Sequence, residues 1–178
     1  KGEVDRFIFG FEESYGYLAG SYVRDKDAVV GSMLICEMAA FYRTKGISLL
    51  QARENLYNKY GVYYHTLHSF TFEGESGMIK MNDIMNQLRQ NPPSEVAGYK
   101  VLKASDYKLS ITKDLTNGTE SEITLPKSNV LAFELEDNLK VVVRPSGTEP
   151  KIKTYYTAKA PTFDDAKAVE SKLAGDFG

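Results

Sequence analysis

The sequence predicts an α+β fold: a C-terminal domain in which an antiparallel sheet of about four strands packs against two helices, preceded by a segment of one strand and two helices. Three observations carry this. Strand-like runs at Tyr99 to Ala104, Val130 to Glu136, Leu139 to Val143 and Lys151 to Thr157 dominate the second half, with helical periodicity only at its two ends. Asp137-Asn138, between two of those runs, is a hairpin signal that makes the pairing antiparallel. Residues 1–63 hold a single strand and two helices, too little for an independent sheet, so the change of domain is placed near Gly61 to Tyr64, giving 1–63 and 64–178.

In chain order, a short apolar strand is expected at Phe7 to Phe9. Lys1 is not a methionine, and a lone strand at a terminus cannot satisfy its edges, so a cut chain is expected, with a lost partner sheet or another chain beside the strand. From Ala28 to Tyr42 the run is apolar around most of its circumference, which predicts a buried helix ended by Thr44-Lys-Gly46, with Cys36 a small core residue. Ser48 precedes an amphipathic helix in which Leu49, Ala52 and Leu56 recur at helical spacing and Gly61 supplies the stop. Val62 to Glu73 alternates as a strand. Ile79, Ile84, Met85 and Leu88 form one helical stripe ended by Asn91-Pro-Pro93, and Asp114 to Glu122, with Asn117-Gly118, reads as an exposed turn or loop. Thr162 caps a last helix that begins at Phe163, with Asp164 and Asp165 in its first turn.

Composition narrows the function classes. With 178 residues, 42% of them hydrophobic, the chain can bury a real core, while a net charge of -2 argues against general nucleic-acid binding. One cysteine excludes an internal disulfide and fits a reducing cytoplasm, and no window is long and apolar enough for a membrane span. His65 and His68, three apart on a strand, point to opposite faces and do not make a metal site.

Three segments carry chemistry. In Arg144-Pro-Ser-Gly-Thr-Glu-Pro150, Gly147 permits a sharp turn and close backbone approach, the prolines stiffen the loop, Ser146 and Thr148 offer hydroxyls, and Arg144 offers a fork of donors that stays charged. That combination suits a phosphate, though a plain hairpin turn explains the glycine and prolines equally well. Gly10-Phe-Glu-Glu-Ser-Tyr-Gly16 presents acceptors suited to sugar hydroxyls, or serves as a polar strand-to-helix connection. Arg24-Asp-Lys-Asp27 reads as a helix N-terminal box with Asp27 as cap, but Lys26 opposes the helix dipole and so suggests an anionic ligand or partner.

In this order, GFEES, RDKD and RPSGTEPKIK resemble the C-terminal half of the α-D-phosphohexomutases, the family of phosphoglucomutase and phosphomannomutase. The resemblance runs from Phe7 to the last helix. It implies that residues 1–63 are the end of the third, α/β, sugar-loop domain and 64–178 the fourth, TATA-binding-protein-like, phosphate-binding domain. It further implies that Glu12 and Ser14 hold the hexose 3- and 4-hydroxyls, that Lys26 is the active-site lysine, and that Arg144, Ser146, Gly147 and Thr148 grip the non-reacting phosphate.

The family's phosphoserine loop and its magnesium-binding Asp-x-Asp-x-Asp segment have no counterpart here; Asp25 and Asp27 match a different segment. The resemblance therefore implies no catalytic or metal-binding residue in this chain. Its partners would be the phosphosugar and the N-terminal domains of the same protein, and magnesium and glucose 1,6-bisphosphate would serve the full-length, cytoplasmic enzyme. A phosphopentomutase or sugar-bisphosphate synthase of the same superfamily, or a non-catalytic phosphosugar-binding module, remain alternative readings.

Overall fold

A computed structural model describes residues 3–12, 15–74 and 76–177, and the chain forms two compact units, Lys1–Leu56 and Tyr57–Gly178. No described helix is long and apolar enough to cross a membrane.

In the first unit a single helical turn, Val4–Arg6, leads into β1 (Phe9–Phe11), which pairs antiparallel with β2 (Tyr17–Ala19). The strand expected at Phe7 to Phe9 is thus shifted and is not an orphan. Its partner is the chain just beyond the polar loop, because the Glu12 amide donates to the Gly16 carbonyl at 2.8 Å and closes the ribbon as a hairpin. Glu12 and Gly16 therefore lie between two paired strands rather than between a strand and a helix.

Helix α1 (Ala28–Thr44) starts where Asp27 caps it, Oδ1 accepting from the Val29 and Val30 amides at 2.8 and 3.3 Å. It ends at Gly46, which takes φ +73°, a left-handed conformation that glycine adopts without strain. The expectation that α1 is buried is not met: none of its residues is buried, Val29 is 80% and Phe41 56% exposed, and Cys36 is exposed too. Within this unit only a two-stranded ribbon lies against the helix, and α1 reaches it where Gly31 sits against the Tyr17 ring. A ribbon of that width cannot cover a helix apolar on every side. Helix α2 (Leu49–Tyr60) follows, its first turn capped by Ser48 Oγ, which accepts from the Gln51 amide at 3.1 Å. The two compact units divide between Leu56 and Tyr57, and within the second unit Tyr57 and Asn58 line a cleft with Tyr99, Asn138 and Lys159.

The second unit is α+β. β3 (Val62–Thr71) is followed by α3 (Gly77–Gln90), then β4 (Glu95–Val96), β5 (Tyr99–Asp106), β6 (Ile111–Asp114), β7 (Glu120–Glu122), β8 (Leu131–Leu135), β9 (Lys140–Pro145), β10 (Lys151–Ala160) and α4 (Phe163–Phe177). Among the described residues eight strands join one antiparallel sheet in the order β3-β10-β9-β8-β5-β6-β7, with β4 on β5. The sheet is wider than about four strands for two reasons. β3 extends it beyond β10, and the expected turn, at 115–119, is flanked by two short strands that pair as the β6-β7 ribbon, Asp114 and Asn117 accepting from the Thr116 and Thr119 amides at 2.9 Å each.

Helices α3 and α4 cover one sheet face. Met81 and Met85 from α3 and Leu173 from α4 meet Phe133, Val141, Val143, Ile152, Tyr156 and Ala158 from the central strands. β10 shows how the sequence encodes this, with Ile152, Thr154, Tyr156 and Ala158 buried and the residues between them half-buried. Asp137 and Asn138 both take left-handed φ, +57° and +61°, at the tight turn between β8 and β9, a conformation that Asp and Asn tolerate. Thr162 caps α4, accepting from the Asp165 amide at 3.2 Å and donating to its carboxylate at 2.6 Å. The histidines diverge: His65 meets Thr157 on the uncovered face at 3.0 Å, while His68 meets the buried Glu170 carboxylate on the helix side at 3.1 Å. Thr66 donates to the same carboxylate at 2.5 Å, so that buried charge has partners.

Candidate functional site

The Arg144 to Pro150 loop joins the two strands at the middle of the sheet's most buried region. Its ends are fixed by the ladder, Pro145 opposite Ile152 and Arg144 opposite Lys153. Inside it the Ser146 amide donates to the Lys151 carbonyl at 2.7 Å, and Ser146 Oγ accepts from the Thr148 and Glu149 amides at 3.4 and 3.3 Å. From outside, the Phe72 amide donates to the Pro150 carbonyl at 2.8 Å. The start of α3 is pressed close as well: a Cβ on Gly77 would stand 2.6 Å from the Phe72 carbonyl oxygen and 3.0 Å from Pro150 Cβ. Gly147 behaves differently. Its φ is not left-handed and an added Cβ would meet nothing within 4 Å, so the loop itself does not require glycine there.

Electrostatically the loop stands out for what its cations lack. Lys151 pairs with Glu149 at 3.0 Å, but among the described residues neither Arg144 nor Lys153 has a hydrogen-bond or ion-pair partner through its side chain. Directly opposed residues share a sheet face, and like charges so placed repel unless an anion lies between them. Lys153 was not among the residues singled out from the sequence; counting back from the loop in hairpin register, Arg144 against Lys153, is the signal that finds it.

In the first unit the structure brings Glu12 and Lys26 together. Lys26 Nζ lies 3.7 Å from Glu12 Oε1 and 3.2 Å from Asp25 Oδ1. The Asp25 hydrogen bond, then the charges of Asp25 and Glu12, raise the Lys26 pKa and keep the ammonium charged. Gly16 makes the approach possible, since its Cβ would fall 2.4 Å from Lys26 Cδ and 3.3 Å from Glu12 Oε2. Lys26 opposes the α1 dipole, but here carboxylates answer its charge. Ser14, the second residue expected at a sugar, lies outside the described residues.

Asp25 and Asp27 do not fit a magnesium ion. Asp25 Oδ1 accepts from the Lys26 amide at 2.7 Å and pairs with its ammonium, while Asp27 spends one oxygen on the α1 cap and accepts the Tyr22 hydroxyl at the other. The Tyr22 hydroxyl, followed by the Val30 amide, holds the Asp27 carboxyl below the usual carboxylate range. Among the described residues no group of three or more His, Cys, Asp or Glu side chains is placed to hold a metal.

Two family models match the chain: the alpha/beta/alpha domain III of phosphoglucomutase/phosphomannomutase over residues 2–60, and the C-terminal domain of the same family over 85–173. Curated relatives include phosphoglucomutases of Staphylococcus aureus strain RF122, 46% identical over 158 residues, and of Staphylococcus epidermidis strain RP62A, 42% identical over the same length. Each match covers 89% of this chain, which spans 28% of the first relative and 29% of the second. The open-form crystal structure of the exocytosis-sensitive phosphoprotein pp63/parafusin, a phosphoglucomutase from Paramecium, is similar in fold, with a TM-score of 0.59 at 18% identity, over 92% of this chain and 28% of that one.

Proposed function

Because the chain belongs to the phosphoglucomutase/phosphomannomutase family, we propose that it is the substrate-binding portion of a phosphohexomutase, interconverting hexose 1-phosphate and hexose 6-phosphate of glucose, mannose or both. The family resemblance supplies the outline of the reaction, a phosphoserine enzyme and a bisphosphorylated sugar intermediate. Magnesium would lend charge neutralisation at the transferring phosphoryl group. Neither the reacting serine nor a magnesium site is assigned to this chain, whose own residues bind and orient.

The observation that carries the reading is the opposed pair Arg144 and Lys153, two cations on one sheet face with no described carboxylate to neutralise them. A phosphate seated there turns repulsion into attraction. Arg144 offers two parallel N–H donors to two phosphate oxygens, Lys153 adds a point charge, and the Thr148 hydroxyl lies within the same turn. The loop is rigid at both ends, so little ordering entropy is lost on binding. The grip holds the phosphate that does not react.

Glu12 serves the sugar. A carboxylate accepts from two hydroxyls at once, and Lys26 Nζ, 3.7 Å away, orients it. Ser14 and Lys26 complete the proposed sugar and active-site contacts. The substrate must present either of its phosphates to the same grip, so the phosphate loop and sugar loop read features common to both orientations.

Calorimetric titration of the enzyme carrying this chain with glucose 1-phosphate tests the grip. Arg144→Ala is expected to weaken binding by about 1.5–3 kcal/mol, the worth of charge-assisted hydrogen bonds, and Lys153→Ala by less, both with the fold intact by circular dichroism. Unchanged affinity in both variants sinks the assignment. The 178-residue chain alone is expected to show no turnover with glucose 1-phosphate, magnesium and glucose 1,6-bisphosphate; measurable turnover refutes its purely binding role.

A further inference from the structure

On the helix side of the second unit lies a cavity of about 470 Å³, within the range of small-molecule sites. Its walls are Phe72 from the end of β3, Leu88 from α3, Ile152 from β10 and Phe177 from α4. Buried Val96 and Thr154 also line it, exposed by only 2% each, so it has real depth. Arg144 and Lys153 belong to the opposite face of the same strands, since their neighbours Val143 and Ile152 point into this cavity. It is therefore separate from the phosphate loop.

The mouth is polar and carries one sign of charge. Asn91, Glu95 and Asp176 form it, with Lys100 across the β4-β5 pair from Glu95, and no Lys, Arg or His is among the residues lining the cavity. A helix also ends here: Asn91 is the C-cap of α3, so α3 presents its carbonyl, partly negative, end, and Asp176 stands in the last described turn of α4. Asp176 Oδ2 is occupied by the Ala97 amide at 2.6 Å, which fixes the carboxylate at the rim and leaves its other oxygen free of that bond.

We propose that this cavity binds a small hydrophobic amine, its aromatic or aliphatic body against Phe72, Leu88, Ile152 and Phe177 and its ammonium at the mouth between Asp176 and Glu95. The walls supply apolar burial, and the mouth selects the sign of the head group. An anionic ligand of the same shape meets two carboxylates and the α3 C-terminus, and a neutral one gains nothing from them.

Three probes of one shape test this by methyl NMR titration of the 178-residue chain: 2-phenylethylamine, 2-phenylethanol and 3-phenylpropanoate. The amine is expected to shift the Leu88, Val96 and Ile152 methyls and to bind about tenfold more tightly than the alcohol, with the acid weakest. Asp176→Asn keeps the acceptor for Ala97 while removing the charge, and it should cut amine affinity several-fold without changing the alcohol's. Glu95→Gln provides the same reading should the first variant fold poorly. Equal affinity for all three probes, absence of these methyl shifts at millimolar amine, or amine affinity indifferent to both variants overturns the proposal.

Discussion

The Arg144 loop and the Glu12 loop are both hairpin connections, yet one joins two interior strands, β9 and β10, of an eight-stranded sheet and the other a ribbon of two three-residue strands. The first is braced by a packed core behind it, by Phe72 at Pro150 and by α3 at Gly77. The second is held by a three-pair ladder, by the Glu12 amide on the Gly16 carbonyl and the Asp27 amide on the Tyr17 carbonyl, and by a helix with no buried residue. A phosphate grip needs fixed donors, because a planar guanidinium and a lysine must meet a small rigid anion together. On the proposed reading, the sugar loop meets hydroxyls through a carboxylate with two equivalent oxygens.

The largest test of that contrast is core truncation. Phe133→Ala, at a residue 1% exposed, is expected to cost the second unit about 3–5 kcal/mol in urea denaturation. Phe41→Ala, at a residue 56% exposed in α1, should cost less than about 1 kcal/mol. Similar losses would erase the distinction between a braced and a light frame.

A pH effect comes next. Tyr156 is fully buried in the second unit and its hydroxyl has no hydrogen-bond partner of normal geometry, so burial pushes its pKa up to about 12, with the neighbouring Thr154 hydroxyl pulling slightly the other way. A raised folded-state pKa means that the contribution is whole below the unfolded value of about 10 and is lost as pH rises toward 12. Denaturation midpoints should therefore fall across that alkaline window in the parent chain and less in Tyr156→Phe. The first unit has its titrating feature at the acid end. Asp27, lowered chiefly by the Tyr22 hydroxyl, supports α1 above the ordinary Asp pKa and lets it fray as pH drops through the folded value. Far-UV circular dichroism of Asp27→Asn, which keeps an acceptor for the cap, should lose this acid dependence.

The two glycines give the finest comparison. Gly16→Ala forces Lys26 off Glu12, so it should disturb the first loop and be visible as shifted Lys26 resonances. Gly147→Ala has open space and should change stability by less than about 0.5 kcal/mol. If it nonetheless weakens phosphate binding, the glycine serves the approach of the ligand; if it unfolds the loop, the bracing described here is wrong.

Much of the fold is legible in the sequence because its signals are local. Ser48, Thr162 and Asp27 cap helices as their side chains dictate, and Asp137-Asn138 turns where left-handed φ is needed. Three features were not legible. The β1-β2 pairing depends on which segment meets a short strand, and short strands carry little register information. The exposure of α1 and Cys36 contradicts their apolar sequence, because burial depends on how much neighbouring structure exists to cover a helix. The β6-β7 ribbon is built from polar residues whose turn side chains, not hydrophobic periodicity, close it.

At the candidate site, residue type alone singled out Arg144, Ser146, Gly147 and Thr148, and with them Glu12 and Lys26. Donors and acceptors are properties of side chains, so the sequence by itself determined what chemistry each loop offers. Only the tertiary structure decided which charges are shared and which are answered: Lys26 lies against Glu12 and Asp25, while Arg144 faces Lys153. Coulomb energy depends on separation in space, and strand register and loop closure set that separation.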